Sequence, residues 1–82
     1  MLSIKNAIMQ LLMERGAGKT ICPSEAARAV DPENWRAHLK AVRAAGRALA
    51  ADGRIVWTRK GEPVDPETAK GVVRFGLPPD HG

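Results

Sequence analysis

Apolar residues recur at helical spacing along the first fifteen positions. Ile4, Ile8, Leu11 and Leu12 fall at i, i+4, i+7 and i+8, Arg15 continues the series, and Met9 and Met13 widen the stripe. The pattern predicts a helix over 3–15 with Ser3 as its N-cap. Gly16 and Gly18 stop it, and Arg15 sits well at the negative end of the helix dipole. Lys19-Thr20-Ile21 is short and partly β-branched, which predicts a stub of strand. CPSEAARAV (22–30) then reads as a second helix. Pro23 suits the first helical position, where its missing N–H costs nothing. Cys22 is the N-cap and Glu25 the N3 residue of a capping box with a weak cap, because sulfur accepts hydrogen bonds poorly. Ala26, Ala27 and Val30 are small enough to let another helix approach.

Asp31-Pro32 ends that helix and opens a third and longest one, predicted over 33–52 and closed by Gly53. At about 100° per residue, Trp35, Leu39, Val42, Gly46 and Leu49 fall within an arc of about 80° and form its core stripe. Arg36, Lys40, Arg43 and Arg47 fall within about 60°, centred about 110° away. Most of the remaining surface is alanine, which keeps the helix narrow. Residues 54–60 alternate as a strand, with Ile55 and Trp57 on one face and Val56 and Thr58 on the other. Gly61-Glu62-Pro63 reads as a turn. Residues 65–71 read as a loop with one helical turn, and 72–77 as the returning strand. Residues 1–77 therefore form a single domain, with 78–82 as a disordered tail. The fold class is α+β, mainly α. Helix, strand stub, helix, turn, long helix and two-stranded ribbon is the order of a winged helix-turn-helix, with three helices and a small antiparallel β-hairpin wing.

Composition narrows the functions open to such a domain. The 82 residues are 44% apolar, and thirteen of those apolar residues are alanine. That suffices for one compact core and leaves little for a walled pocket. No apolar run approaches a membrane span, and the N-terminus lacks the pattern of a signal peptide. One cysteine excludes an internal disulfide framework and fits a reducing compartment, so a cytoplasmic location is expected. One Cys and two His (His38 and His81), without C-x-x-C or H-x-x-x-H spacing, predict neither a metal site nor a cofactor. No nucleophile–base pair or paired carboxylates stand at working spacing, so no enzymatic activity is expected.

Several residues invite sharper readings. GAGKT (16–20) lacks the first glycine of a phosphate loop, because Met13 holds that position, and a helix precedes it rather than follows it. It reads as a helix-ending loop. Cys22 has no His nearby in sequence and a carboxylate at Glu25, which favours a capping or packing role over a nucleophilic one. Glu25 reads as a helix cap or arginine partner, and His38 as a partly buried structural histidine. Trp35 lies on the core stripe, and Trp57 is expected to pack inward as well.

Net charge is +4, but its placement matters more than its sum. Residues 34–60 hold seven basic residues and one acid, or +6, and the remaining segments together hold −2. The third helix and the strand after it are thus the positive pole. The cationic stripe carries no acid at i±4 to neutralise it, so it predicts contact with a polyanion. A helix fits the major groove of duplex DNA. Arg36, Lys40, Arg43 and Arg47 would meet phosphates and guanine edges. Arg59 and Lys60, near the hairpin tip, would reach flanking backbone, and Lys19 and Arg28 are further phosphate contacts.

CPSEAARAV (22–30), WR (35–36), VRAAGRALAADGRI (42–55) and KGEPVDP (60–66) together resemble a small bacterial family catalogued only as a domain of unknown function and regarded as winged-helix-like. The resemblance runs from about Ile4 to Phe75. It implies the fold and carries over no activity. The expected function is non-catalytic binding of double-stranded DNA, as a transcriptional regulator or accessory module, by a monomer or weak homodimer. The alternative is a protein–protein interaction module, whose acidic protein partner would suit the same stripe.

Overall fold

The computed structural model describes residues 3–79. Helix α1 (Ile4–Arg15) opens on Ser3, whose hydroxyl accepts the Asn6 N–H at 3.1 Å. It ends where Gly16 returns its N–H to the Leu12 carbonyl. Ala7, Ile8 and Leu12 are buried, and Ile4, Met9 and Leu11 pack around them. Met13 does not join this stripe as expected. It is 69% exposed, because it lies on the flank that no second element covers. Strand β1 (Thr20–Ile21) follows, then α2 (Pro23–Val30), with Cys22 as N-cap and Pro23 in its first turn.

The third helix begins later than its periodicity predicts. Residues 32–34 bend, Trp35–His38 form a 3-10 turn, and α3 proper runs Leu39–Ala51. The cause is Asp31. One carboxylate oxygen accepts the Asn34 N–H at 3.2 Å, and the other lies 3.0 Å from His38 Nε2. These bonds draw the entry tight, and the Leu39 N–H donates to the Arg36 carbonyl three residues back. Such a turn advances about 120° per residue. Arg36 therefore does not keep the helical-wheel angle expected of it.

Strands β2 (Val56–Arg59), β3 (Glu62–Pro63) and β4 (Arg74–Gly76) complete an antiparallel sheet with β1, in the order β1-β4-β2-β3. The architecture is α+β, mainly α: three helices and one small antiparallel sheet. The expected ribbon is present as β2 against β4, but it is the centre of a wider sheet, flanked by β1 and β3. The tight turn also differs from the expectation. Lys60 and Gly61 form it, with φ of 53° and 81°, both left-handed as in the hairpin turns whose twist matches the strands. Glu62 and Pro63 pair with Arg59 and Thr58 as a short strand. Proline is tolerated there because β3 is an edge. Of the expected tail, residues 80–82, including His81, lie outside the described residues.

Register places Ile21 and Trp57 on either side of Phe75, and all three are buried. This inward row meets the helices at Gly46 of α3. A Cβ built on Gly46 would stand 2.7 Å from the Phe75 ring tip and no more than 3.2 Å from two further ring carbons. The ring of Phe75 also tilts against Trp57, with centroids 5.1 Å apart. Gly46→Ala should gain up to about 1 kcal/mol of helix propensity and lose about 1–3 kcal/mol to overpacking. The expected net result is a loss of about 1 kcal/mol, seen as a lower urea midpoint at unchanged m-value.

Candidate nucleic-acid interface

The eight cationic residues singled out in the sequence fall into distinct groups. Arg28, from α2, and Arg36, from the 3-10 turn, both lie over the Trp35 ring, 4.3 and 4.4 Å from its centroid. Trp35 itself is half-buried against the core. The indole ring holds both guanidiniums at the entry to α3. Lys40 follows, exposed on the first turn of α3. Arg43 is half-buried, 5.4 Å from the Trp57 centroid, and its guanidinium donates to the carbonyls of Ala69 and Gly71, each at 3.4 Å. Arg59 donates to the Lys70 carbonyl at 3.1 Å. Lys60 stands at the tip of the β2–β3 hairpin.

Two of the eight stand apart. Arg47 is half-buried and lines a shallow depression with Asp65 and Glu67. Those carboxylates come from the single turn after β3, where Asp65 accepts the Glu67 N–H at 2.9 Å. Lys19 lies in the loop after α1 and lines a groove on the outer sheet face with Thr20, Thr58 and Gly61. Among the described residues the only acid–base contacts within salt-bridge distance are Arg15–Glu25 and the hydrogen-bonded His38–Asp31. None of the eight is therefore within salt-bridge distance of an acid.

A second cluster lies at the start of α2. Arg15 donates to Glu25 and, at 3.1 Å, to the Thr20 carbonyl. Arg74 donates to the same carbonyl at 3.2 Å, to the Thr20 hydroxyl at 2.6 Å and to the Cys22 sulfur at 2.9 Å. Glu25 also accepts the Cys22 N–H at 2.7 Å, the well-made half of the expected capping box. These bonds join α1, β1, α2 and β4. Arg74 was not among the expected functional residues. Alternation with buried Val73 and Phe75 marks it as facing the other side of its strand, but nothing in that pattern reveals its partners.

The family model described as Protein of unknown function (DUF3253) matches residues 1–78. The chain belongs to this family. No curated protein matches the DUF3253 chain at a significant level. Among its described residues no group of His, Cys, Asp and Glu is arranged to hold a metal, and no helix is long and apolar enough to cross a membrane. The chemistry that the DUF3253 fold does display is a set of cations held in place by aromatic rings and backbone carbonyls.

The Glu25 and Asp31 carboxyls are both held below their ordinary pKa. Burial acts to raise the Glu25 pKa, but hydrogen bonds from Arg15 and the Cys22 N–H, with the Arg15 charge, outweigh it and hold the carboxyl below its ordinary value. The hydrogen bond with His38, then that from the Asn34 N–H, lower the Asp31 carboxyl in the same way. A carboxyl with a depressed folded-state pKa contributes its stabilisation fully above its unfolded pKa and loses it as pH falls through the folded value. The urea midpoint should therefore drop between about pH 5 and about pH 3. In Glu25→Gln that drop should be smaller, with the midpoint already reduced at neutral pH.

Proposed function

We propose that this domain binds duplex DNA without catalysing a reaction, as a winged helix-turn-helix module working in the cytoplasm of a bacterium. In this reading α2 and α3 are the helix-turn-helix, with α3 in the major groove, and the β2–β4 excursion is the wing. One observation carries the reading: the cations at the entry to α3, along its exposed flank and at the hairpin tip have no acidic partner within salt-bridge distance among the described residues, the Arg15–Glu25 pair lying elsewhere and Asp31 at the entry being held by His38 and the Asn34 N–H. Stacking on Trp35 strengthens it. Guanidiniums fixed on an indole have already given up rotamer freedom, so a phosphate that meets them orders less.

The side chains of Arg36 and Lys40 are exposed and make no hydrogen bond among the described residues, so truncating them costs the fold only the Arg36 stacking on Trp35. With about four phosphate contacts, duplex affinity by fluorescence anisotropy should fall by about a hundredfold between about 50 and about 200 mM salt. Arg36→Ala/Lys40→Ala should bind more weakly at every salt concentration and lower the log–log salt slope by about two. An absence of duplex binding by the wild type at about 20 mM salt, or an unchanged slope in the double variant, would overturn the proposal in favour of a protein-docking role.

A further inference from the structure

Arg43 and Arg59 look interchangeable with the other basic residues in the sequence, but the structure gives them a different task. Three consecutive carbonyls, those of Ala69, Lys70 and Gly71, accept hydrogen bonds from these two guanidiniums. Arg43 comes from the middle of α3 and Arg59 from the end of β2, so the loop is tied to both. Arg43 is further fixed against the Trp57 ring. The loop bends to offer its carbonyls, and Gly71 takes φ 79° to do so. A Cβ there would meet only Arg59 atoms at 3.7 Å or more, so backbone conformation rather than space calls for glycine.

The loop so held exposes an unusual pair. Val72 is 79% exposed, and among the other large apolar residues described only Met13 is comparably bare. Lys70, two residues earlier, is exposed and makes no salt bridge among the described residues. Asp65 and Glu67 line a depression with Arg47, and the Asp65 carbonyl accepts the Ala69 N–H at 2.8 Å. A β-branched side chain is stiff, so it loses little entropy on contact. An apolar side chain flanked by cations on a tethered loop fits a nucleic-acid groove, where cations meet phosphates and the apolar group meets sugars and base edges.

We infer that Arg43 and Arg59 are positioning residues, and that the loop they clamp presents Lys70 to a backbone phosphate and Val72 to the minor groove of duplex DNA. The inference rests on the DNA-binding reading above and assigns a contact surface within it. Arg43 acts through geometry. Lysine keeps its charge but is a single compact ammonium that cannot span two carbonyls two residues apart.

Anisotropy with a duplex oligonucleotide over a salt series tests this in the full chain. Lys70→Ala should weaken binding about eightfold near 0.1 M salt and lower the salt slope by about one. Val72→Ser should weaken binding with the slope unchanged. Both side chains are exposed, so neither variant endangers folding. Arg43→Lys and Arg59→Lys should bind about as poorly as Lys70→Ala despite keeping their charge, and trypsin should cut after Lys70 faster than in the wild type without DNA present. Wild-type affinity in Arg43→Lys would make Arg43 a direct charge contact and overturn the inference. So would unaltered binding by both Lys70→Ala and Val72→Ser. Failure of the wild type itself to bind duplex would instead remove the DNA-binding reading, and this inference with it.

Discussion

The contact between Phe75 and Gly46 is the constraint on which the rest of the structure depends. Phe75 lies in β4, which pairs with β1 on one side and β2 on the other. Its ring tip occupies the volume that a side chain on α3 would fill. Helix and sheet can therefore approach to backbone distance at one point. That approach sets how α3 lies against the sheet, and hence where the stripe of cations on its flank can point. It also buries the Ile21–Phe75–Trp57 row, the largest continuous apolar surface that the sheet offers the helices. Burying such a row is the main favourable term available to a domain this small, which has no disulfide to hold it.

The pinned sheet also explains the second cluster. With Phe75 turned inward, pleating turns Arg74 and Gly76 outward. Arg74 then reaches along the outer face to Thr20 and Cys22. Arg15, at the end of α1, arrives at the same carbonyl from the helical side. Two guanidiniums converge with Glu25 as the one carboxylate among them. The start of α2 is thus fixed from three elements at once, which compensates for a sulfur N-cap that closes its helix poorly. The arrangement fixes the angle at which α2 leaves the sheet, and so the geometry of the α2–α3 pair.

Much of this was legible because it is local. Ser3, Pro23, Gly16 and Gly53 mark helix ends through backbone chemistry that acts over three or four residues. The alternation around Trp57 and Phe75 reports burial directly, and the wheel angle of Val42, Gly46 and Leu49 reports the covered face of α3. The Asp31–His38 contact was not legible, because seven residues of separation match no helical or strand period once the chain bends at 32–34. The turn at Lys60-Gly61 was missed because Gly61-Glu62-Pro63 carries the stronger turn signal, and an edge strand tolerates proline. The candidate site was legible in its residues but not in their grouping. Periodicity gives the angle of Arg43 and Arg47 about the helix axis. It says nothing of the 65–71 segment, eighteen or more positions further along the chain, which brings carbonyls to Arg43 and shares a depression with Arg47.

That segment changes what the cationic stripe means. A row of equivalent arginines would attract a polyanion along its whole length and fix it nowhere. Here the row is differentiated. Arg28 and Arg36 share one indole, Lys40 is bare, Arg43 is committed to a loop, and Arg47 shares a depression with two acids. Carbonyls orient a guanidinium without cancelling its charge, so Arg43 still contributes to the field while no longer being free to swing towards a phosphate. Uncompensated positive charge on so small a domain repels itself and works against the compact state. An anionic partner relieves that repulsion, so its binding to the folded state also stabilises the fold. In this domain, then, rings and backbone carbonyls orient cations of the positive face without neutralising them.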